Sequence, residues 1–307
     1  MSTAMISHAN CLAHNVGNEH PECPNRLHAI NDRLISSGLS LVLPHHDAKP
    51  VSREQLLNVH DQAYIDDIYA QAPTQAGQIV RLDDDTALMK STLTAAQYAA
   101  GAGVQAVDMI MQGKHQRIFC PVRPPGHHAE SDKAMGFCYF NNIAIAATHA
   151  LNHYGLTRVA IIDFDVHHGN GTEQIFAGDS RVLFCSSFEH PLYPFSGHNS
   201  QHDNIHNLPL QSGLTGAQYR TIVSEQWLPI VDAFAPELIL ISAGFDGHIE
   251  DDISHIGLTE SDYRWITTEL VTLAEKHCQG QIVSMLEGGY ALSALGRSVS
   301  AHLDALL

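Results

Sequence analysis

Positive charge is scarce in this chain: 16 lysines and arginines stand against 33 aspartates and glutamates over 307 residues, a formal charge of −17. Such a field repels nucleic acid and acidic membranes and favours cationic substrates. Paired cysteine spacing is missing as well. The six cysteines, Cys11, Cys23, Cys120, Cys138, Cys185 and Cys278, contain no C-x-x-C. Two of them, Cys120 and Cys185, close apolar runs, where a free thiol packs as a small hydrophobe. All six are read as reduced, in a cytoplasmic setting. The N-terminal "MSTAMISHAN" lacks a basic region followed by an apolar core, so no signal peptide is expected. No apolar run approaches membrane-spanning length. Repeats, low-complexity tracts and linker-like stretches are also missing, and a single domain over residues 1–307 is expected. With 44% hydrophobic residues it has the means to bury a large core.

What is present is an alternation. The runs "QRIFCPV", "RVAIIDFDV", "RVLFCSSF", "ELILISAG" and "QIVSMLEGG" are short and apolar, without clean alternation, which suits parallel strands covered on both faces. Between them lie helical patterns. "STLTAAQYAAGAGVQAVDMIMQG" ends at Gly113, "NNIAIAATHALNHYG" ends at Gly155, and "LTESDYRWITTELVTLAEKHCQG" starts at a Thr259 cap and stops at Gly280. Strand–helix alternation predicts an α/β fold with a doubly wound sheet and right-handed crossovers.

The polar residues cluster just after these strands. "RPPGHH" follows the first, "DFDVHHGN" ends the second, "AGFDGH" the fourth and "EGGY" the fifth. Ligands bind at the carboxyl ends of strands in open α/β sheets, so four clusters are expected to meet on one rim. In "VAIIDFDVHHGNGT" the buried strand turns abruptly acidic, and charged groups are rarely buried unless paired or metal-bound. Residues two apart on a strand share a face, so Asp163, Asp165 and His167 are candidates to project together, with Asp246 as a further oxygen donor. Three protein ligands and an open position describe a catalytic zinc site. Either aspartate alone would be read as a turn cap; the whole run with Asp246 is read as a metal site. His127 and His128 sit on a loop stiffened by two prolines and are candidates for the general base. Tyr290 follows two glycines and is a candidate donor to a developing oxyanion.

These motifs resemble those of the histone deacetylase family, closer to its class II and bacterial amidohydrolase-like members than to class I. "HPECPNRL", "RPPGHHA", "GFCYFNN", "DFDVHHGNGT", "SAGFDGH" and "LEGGY" occur in that order and span nearly the whole chain. The resemblance implies an arginase/deacetylase-like doubly wound fold, with a mainly parallel sheet flanked by helices. It implies zinc held by Asp165, His167 and Asp246, and makes Asp163 the carboxylate that orients His127. His128 becomes the general base and later the acid, backed by Asn170 where class I members carry aspartate. Tyr290 holds the carbonyl oxygen, while zinc activates water and polarises the carbonyl. Phe137 and Tyr193 are expected as tunnel walls, with Gly136 and Gly288 also at the substrate, Asp84 meeting the substrate backbone at the rim, and Arg26 in an inner channel. Similar proteins hold a monovalent cation, K+ or Na+, near Asp163, Asp165, His167 and Ser186.

The expected activity is removal of acetyl or a related acyl group from the ε-amino group of lysine in a protein or peptide. A neighbouring expectation is a deacetylase of acetylated polyamines, which the −17 charge fits equally well. A non-catalytic acyl-lysine binding module would have lost Tyr290 or a zinc ligand, and neither is lost. Iron(II) is a possible substitute for zinc at such a site.

Overall fold

The computed structural model describes residues 2–17 and 20–307. Eight strands form one sheet, and every pairing within it is parallel. In chain order the strands and helices begin with β1 (Thr3–Ser7), α1 (Asn25–Ser37), β2 (His45–Asp47), α2 (Arg53–Leu57) and α3 (Gln62–Gln71). A small separate ribbon of β3 (Val80–Arg81) and β4 (Ala87–Leu88) follows, then α4 (Thr92–Met111), β5 (Arg117–Cys120) and α5 (Asn142–Tyr154). Next come β6 (Val159–Asp163), α6 (Asn170–Phe176), β7 (Val182–Glu189), β8 (Ile205–Leu210), α7 (Gly216–Gln226) and α8 (Leu228–Phe234). The chain closes with β9 (Leu238–Ala243), α9 (Glu260–Cys278), β10 (Ile282–Leu286) and α10 (Leu292–Leu306). The sheet order is β2-β1-β5-β10-β9-β6-β7-β8. The last two strands in sequence are thus inserted between β5 and β6, and the strand order reverses beside them.

Both faces of the sheet are covered, which explains the continuous apolar strands. Ile118 and Cys120 of β5, Ile161 of β6 and Leu240 of β9 pack with the small residues of α4 and α5, among them Ala96, Ala99, Ala100 and Ala147. Phe119, Ala160, Ile162, Ile239 and Ile241 point the other way and pack with Ile266 and Leu270 of α9 and Val299 and Leu303 of α10. Neighbouring residues on a strand face opposite sides, so a strand clothed on both must be apolar throughout. Gly155 closes α5 in a left-handed conformation, and Thr259 opens α9 in a capping box with Asp262.

The five apolar runs correspond to β5, β6, β7, β9 and β10, and the three helical patterns to α4, α5 and α9. The edge strands carry no comparable signal. β2 is the polar "HHD", and β8 contains Pro209 and is half exposed, as edge strands tolerate. Helices α1, α7, α8 and α10 likewise lie outside the three helical patterns. No helix among the described residues is long and apolar enough to cross a membrane.

Because all eight strands run the same way, the segments following β5, β6, β9 and β10 emerge at one edge of the sheet. These segments carry the four polar clusters.

Candidate active site and metal centre

The candidate metal donors come from two of these segments. One ligand atom each from Asp165, His167 and Asp246 lies within 4.8 Å of the others, and all three residues are buried. The His167 Nδ1 is 3.0 Å from Asp165 Oδ1 and 3.1 Å from Asp246 Oδ2. Burial would lower the pKa of His167, but hydrogen bonds to the two carboxylates raise it to about 10. Burial and the neighbouring Asp165 charge push Asp246 up to about 6. Two buried carboxylates facing one another call for a cation between them. Two oxygens and one nitrogen suit zinc, and iron(II) is also compatible with that donor set.

The route to this convergence differs from the strand alternation expected for Asp163, Asp165 and His167. β6 ends at Asp163, so Asp165 and His167 lie in the loop beyond it. There the Asp165 amide donates to Asp163 Oδ1 at 3.1 Å, and the His167 amide donates to Asp165 Oδ1 at 2.9 Å. Asp163 Oδ2 accepts from His127 Nδ1 at 2.9 Å.

Gly288 is part of the same construction. Its amide donates to Asp165 Oδ2 at 2.7 Å. A Cβ there would stand 2.0 Å from Asp246 Oδ2 and 2.6 Å from Asp165 Oδ2, so only glycine lets the backbone come this close. Gly288→Ala is expected to weaken metal affinity by about 10–100-fold, the range typical for partners that orient ligands. Isothermal titration of the metal-stripped variant checks it.

His127 and His128 lie with ring centres 4.0 Å apart. Burial works against a charge on His127, but Asp163 and Asp165 prevail and raise its pKa to about 10. His128 goes the opposite way: burial, then the neighbouring His127 and His167, hold it well below 6.5. Its Nδ1 is 2.8 Å from Asn170 Oδ1. An amide oxygen can only accept, so Nδ1 carries the proton and Nε2 keeps a free lone pair.

The loop bearing both histidines is tied to the end of β10 by Glu287, which sequence reasoning did not single out. Its Oε2 accepts from the amides of Gly126 at 2.7 Å and His127 at 3.1 Å. Burial raises its pKa to about 7.

Tyr290 follows Gly289 at the cavity. Burial keeps its phenol well above 10 despite the nearby Arg26, so the group is a hydrogen-bond donor across the neutral range. Asp251 fixes its backbone, accepting from the amides of Tyr290 at 2.6 Å and Ala291 at 2.9 Å. Arg26 is fully buried behind it, with its guanidinium carbon 4.8 Å from the Tyr290 ring centre. It donates to the carbonyls of Gly289 and Glu287 at 2.7 and 2.5 Å. Arg26 therefore braces the turn that presents Tyr290.

The brace depends on Glu22, whose carboxylate pairs with Arg26 at 3.2 Å and with Arg123 at 2.6 Å. Burial would raise the Glu22 pKa, but the Arg123 charge and its other partners lower it to about 2. A depressed carboxyl pKa stabilises the fold above the unfolded value near 4.5, and that contribution is lost as pH falls toward about 2. Glu22→Gln is expected to cost about 3–5 kcal/mol at pH 7 by leaving two buried guanidiniums short of a counter-charge. The loss narrows between pH 4.5 and 2, and denaturant unfolding at pH 7 and pH 3 measures the difference.

These groups surround a cavity of about 200 Å³ lined by His127, His128, His167, Tyr290, Phe137 and Tyr193, with Gly136 and Gly288 beside them. Tyr193 stands edge-on to His128 with ring centres 5.2 Å apart, and Phe137 stands edge-on to Tyr290 at 6.1 Å. Phe137 has a φ of +66°, uncommon for a non-glycine residue, and the preceding Gly136 has +55°. A Cβ at Gly136 would lie 2.4 Å from the His128 ring. Pro125, Leu192 and Ile253 complete the apolar lining and were not anticipated.

Asp85 lines this cavity, and Asp84 lies with it in the neighbouring hollow beside Phe137. Asp83 Oδ1 accepts from the amides of Asp85 and Thr86, and this turn leaves Asp84 exposed while bringing Asp85 inward. Ser186 is the register partner of Asp163 across β6 and β7, but its hydroxyl is 3.0 Å from His168 Nδ1. These contacts lend no support to the expected monovalent cation.

Comparison with known proteins agrees with this architecture. The Histone deacetylase domain family matches residues 20–306. A "Probable deacetylase" of Archaeoglobus fulgidus is 35% identical over 95% of this chain and 82% of its own length. The human "Polyamine deacetylase HDAC10" is 36% identical over the whole chain, which spans 48% of that protein. The crystal structure of the HDA15 HD domain superposes with a TM-score of 0.91 at 32% identity, covering 99% of this chain and 89% of that one. The parallel sheet, the clusters at its carboxyl edge and these matches lead to one conclusion: the chain belongs to the histone deacetylase family, whose members are hydrolases acting on amide bonds.

Proposed function

We propose that this protein removes acetyl or a related acyl group from the ε-amino group of lysine in proteins or peptides, with a divalent metal, zinc or iron(II), held by Asp165, His167 and Asp246. The observation that carries the proposal is one small cavity that brings the metal donor His167, His128 with a free Nε2 and Tyr290 together at the base of an aromatic passage. When bound, the metal polarises the amide carbonyl and makes water more acidic.

The residues of the chain supply the rest. His128 Nε2 takes a proton from the attacking water and returns it to the departing amine. Tyr290 donates a hydrogen bond to the carbonyl oxygen as negative charge grows there. His127, which lines the same cavity, donates its Nδ1–H to Asp163 and so faces the site in a fixed orientation. Phe137 and Tyr193 flank the aliphatic stem of the side chain, and Asp85, which lines the same cavity, accepts from a substrate amide at the mouth.

The same lining suits an acyl-lysine side chain, and an acetylated polyamine, whose first methylene stem is equally uncharged, is the second reading. Asp85 is its one carboxylate outside the histidine cluster, whereas Pro125, Phe137, Leu192, Tyr193 and Ile253 suit an uncharged stem. The similarity to a protein named polyamine deacetylase keeps that second reading in the test. With the metal-reconstituted protein, kcat/KM for acetyl-lysine peptides is expected to exceed that for N-acetylated polyamines; the reverse order reassigns the substrate and leaves the chemistry in place.

A further inference from the structure

We propose that Glu130 is a positioning residue: its carboxylate fixes the amide of Asn170 in the orientation that keeps the His128 proton on Nδ1. The inference rests on the proposed role of His128 in proton transfer. Asn170 turns Oδ1 toward His128 Nδ1 at 2.8 Å, and its Nδ2 donates to Glu130 Oε1 at 2.7 Å. The oxygen and NH2 ends of an amide are nearly equal in size, so hydrogen-bond partners decide which way it faces. Turned end for end, Asn170 would offer N–H to His128 Nδ1. The imidazole would then accept at Nδ1 and carry its proton on Nε2. A ring protonated on Nε2 donates into the cavity and cannot take a proton from water there.

A carboxylate accepts and never donates, so Glu130 attracts Nδ2 and repels Oδ1. Two other acceptors lie on the same side, the His128 carbonyl at 3.4 Å and Met135 Sδ at 3.3 Å. Both contacts are long, and a thioether is a weak acceptor. Glu130 therefore carries most of the preference. Its own backbone is tied at both ends: its amide donates to the Lys133 carbonyl at 2.9 Å, and its carbonyl accepts from His60 Nδ1 at 2.9 Å. His60 in turn accepts from the Asn141 amide through Nε2 at 2.9 Å, which fixes the neutral form of that ring. The imidazole of His128 is thus oriented through a neutral amide, with the full negative charge one side chain further away. That geometry directs the proton without the strong pull toward imidazolium that a contacting carboxylate exerts.

The test compares Glu130→Met, which removes the charged acceptor at similar length, with Glu130→Gln, which can still present an oxygen. On an acetyl-lysine peptide, Glu130→Met is expected to lower kcat about 10–100-fold with KM changed less than about twofold, and Glu130→Gln to recover most of the rate. A second readout does not need turnover. Proton–nitrogen correlation spectra of histidine-labelled protein, with the His128 signals identified by their loss in His128→Ala, report which ring nitrogen is protonated. Transfer of the proton from Nδ1 to Nε2 in Glu130→Met supports the proposal, even if the unsubstituted protein turns out not to act on the peptide. Wild-type kcat in Glu130→Met overturns it, as does a slow variant whose His128 still carries its proton on Nδ1.

Discussion

Alanine in place of His128 lowers kcat for an acyl-lysine peptide by about 10²–10⁴-fold, the span that general acid–base groups supply, while KM moves little. The large value follows from the absence of a substitute. His127 lies 4.0 Å away between ring centres, but Asp163 holds it protonated, so it has no lone pair to offer. Burial and the neighbouring histidines keep His128 neutral, as a base must be before it acts. Its side chain is buried but faces the cavity, so the truncation leaves space that water fills. Steady-state kinetics on the purified variant checks the prediction. A KM effect without a kcat effect would place His128 in substrate binding instead.

The second large effect concerns Asp246. Asp246→Asn retains the shape of the side chain and an acceptor for the Val166 amide, which now donates to Oδ1 at 2.9 Å. It removes one of the two charges that face each other across His167. Metal affinity is expected to fall by more than about 100-fold, beyond what loss of an orienting partner alone produces, and turnover falls with it. Measured metal content should drop from one ion per chain toward none. The unsubstituted protein should also melt at a higher temperature with metal than without, because a ligand at a hundredfold over its Kd stabilises by about 2.7 kcal/mol. In Asp246→Asn that difference should vanish. Unchanged melting with a full complement of metal would mean that the ion sits elsewhere.

Much of this site is visible in the sequence because its parts are short and contiguous. Asp165, His167 and the apolar strand before them lie within a nine-residue stretch, and Asp246 ends a second apolar run, so strand-end clustering alone brings them together. The separate duties of Asp163 and Asp165 were not legible from spacing. They are set by the end of β6 at Asp163 and the turn that follows, in which successive amides donate to the preceding carboxylates. In "RLDDDTAL" the three acids are chemically alike, and the amides bound by Asp83 decide that Asp85 faces the cavity. Glu130 and Asn170 stand forty positions apart, and nothing local to either announces their pairing. The sheet follows the same division. The central strands β5, β6, β7, β9 and β10 are mostly apolar and stand out, whereas the short interior strand β1 does not, and β2 and β8 lie at the edges, where exposure permits polar residues and proline.

The measurement that bears most directly on the proposed chemistry is acetate release from an acetyl-lysine peptide by protein carrying one equivalent of metal, beside the same protein stripped of metal and loaded Tyr290→Phe. The expected result is multiple turnovers with metal, none without it, and a drop of about 10²–10³-fold in the tyrosine variant, which has lost one donor to the oxyanion. Turnover that is indifferent to metal, or undiminished without the Tyr290 hydroxyl, would contradict the assignment of this cavity as a metal-dependent lysine deacylase site.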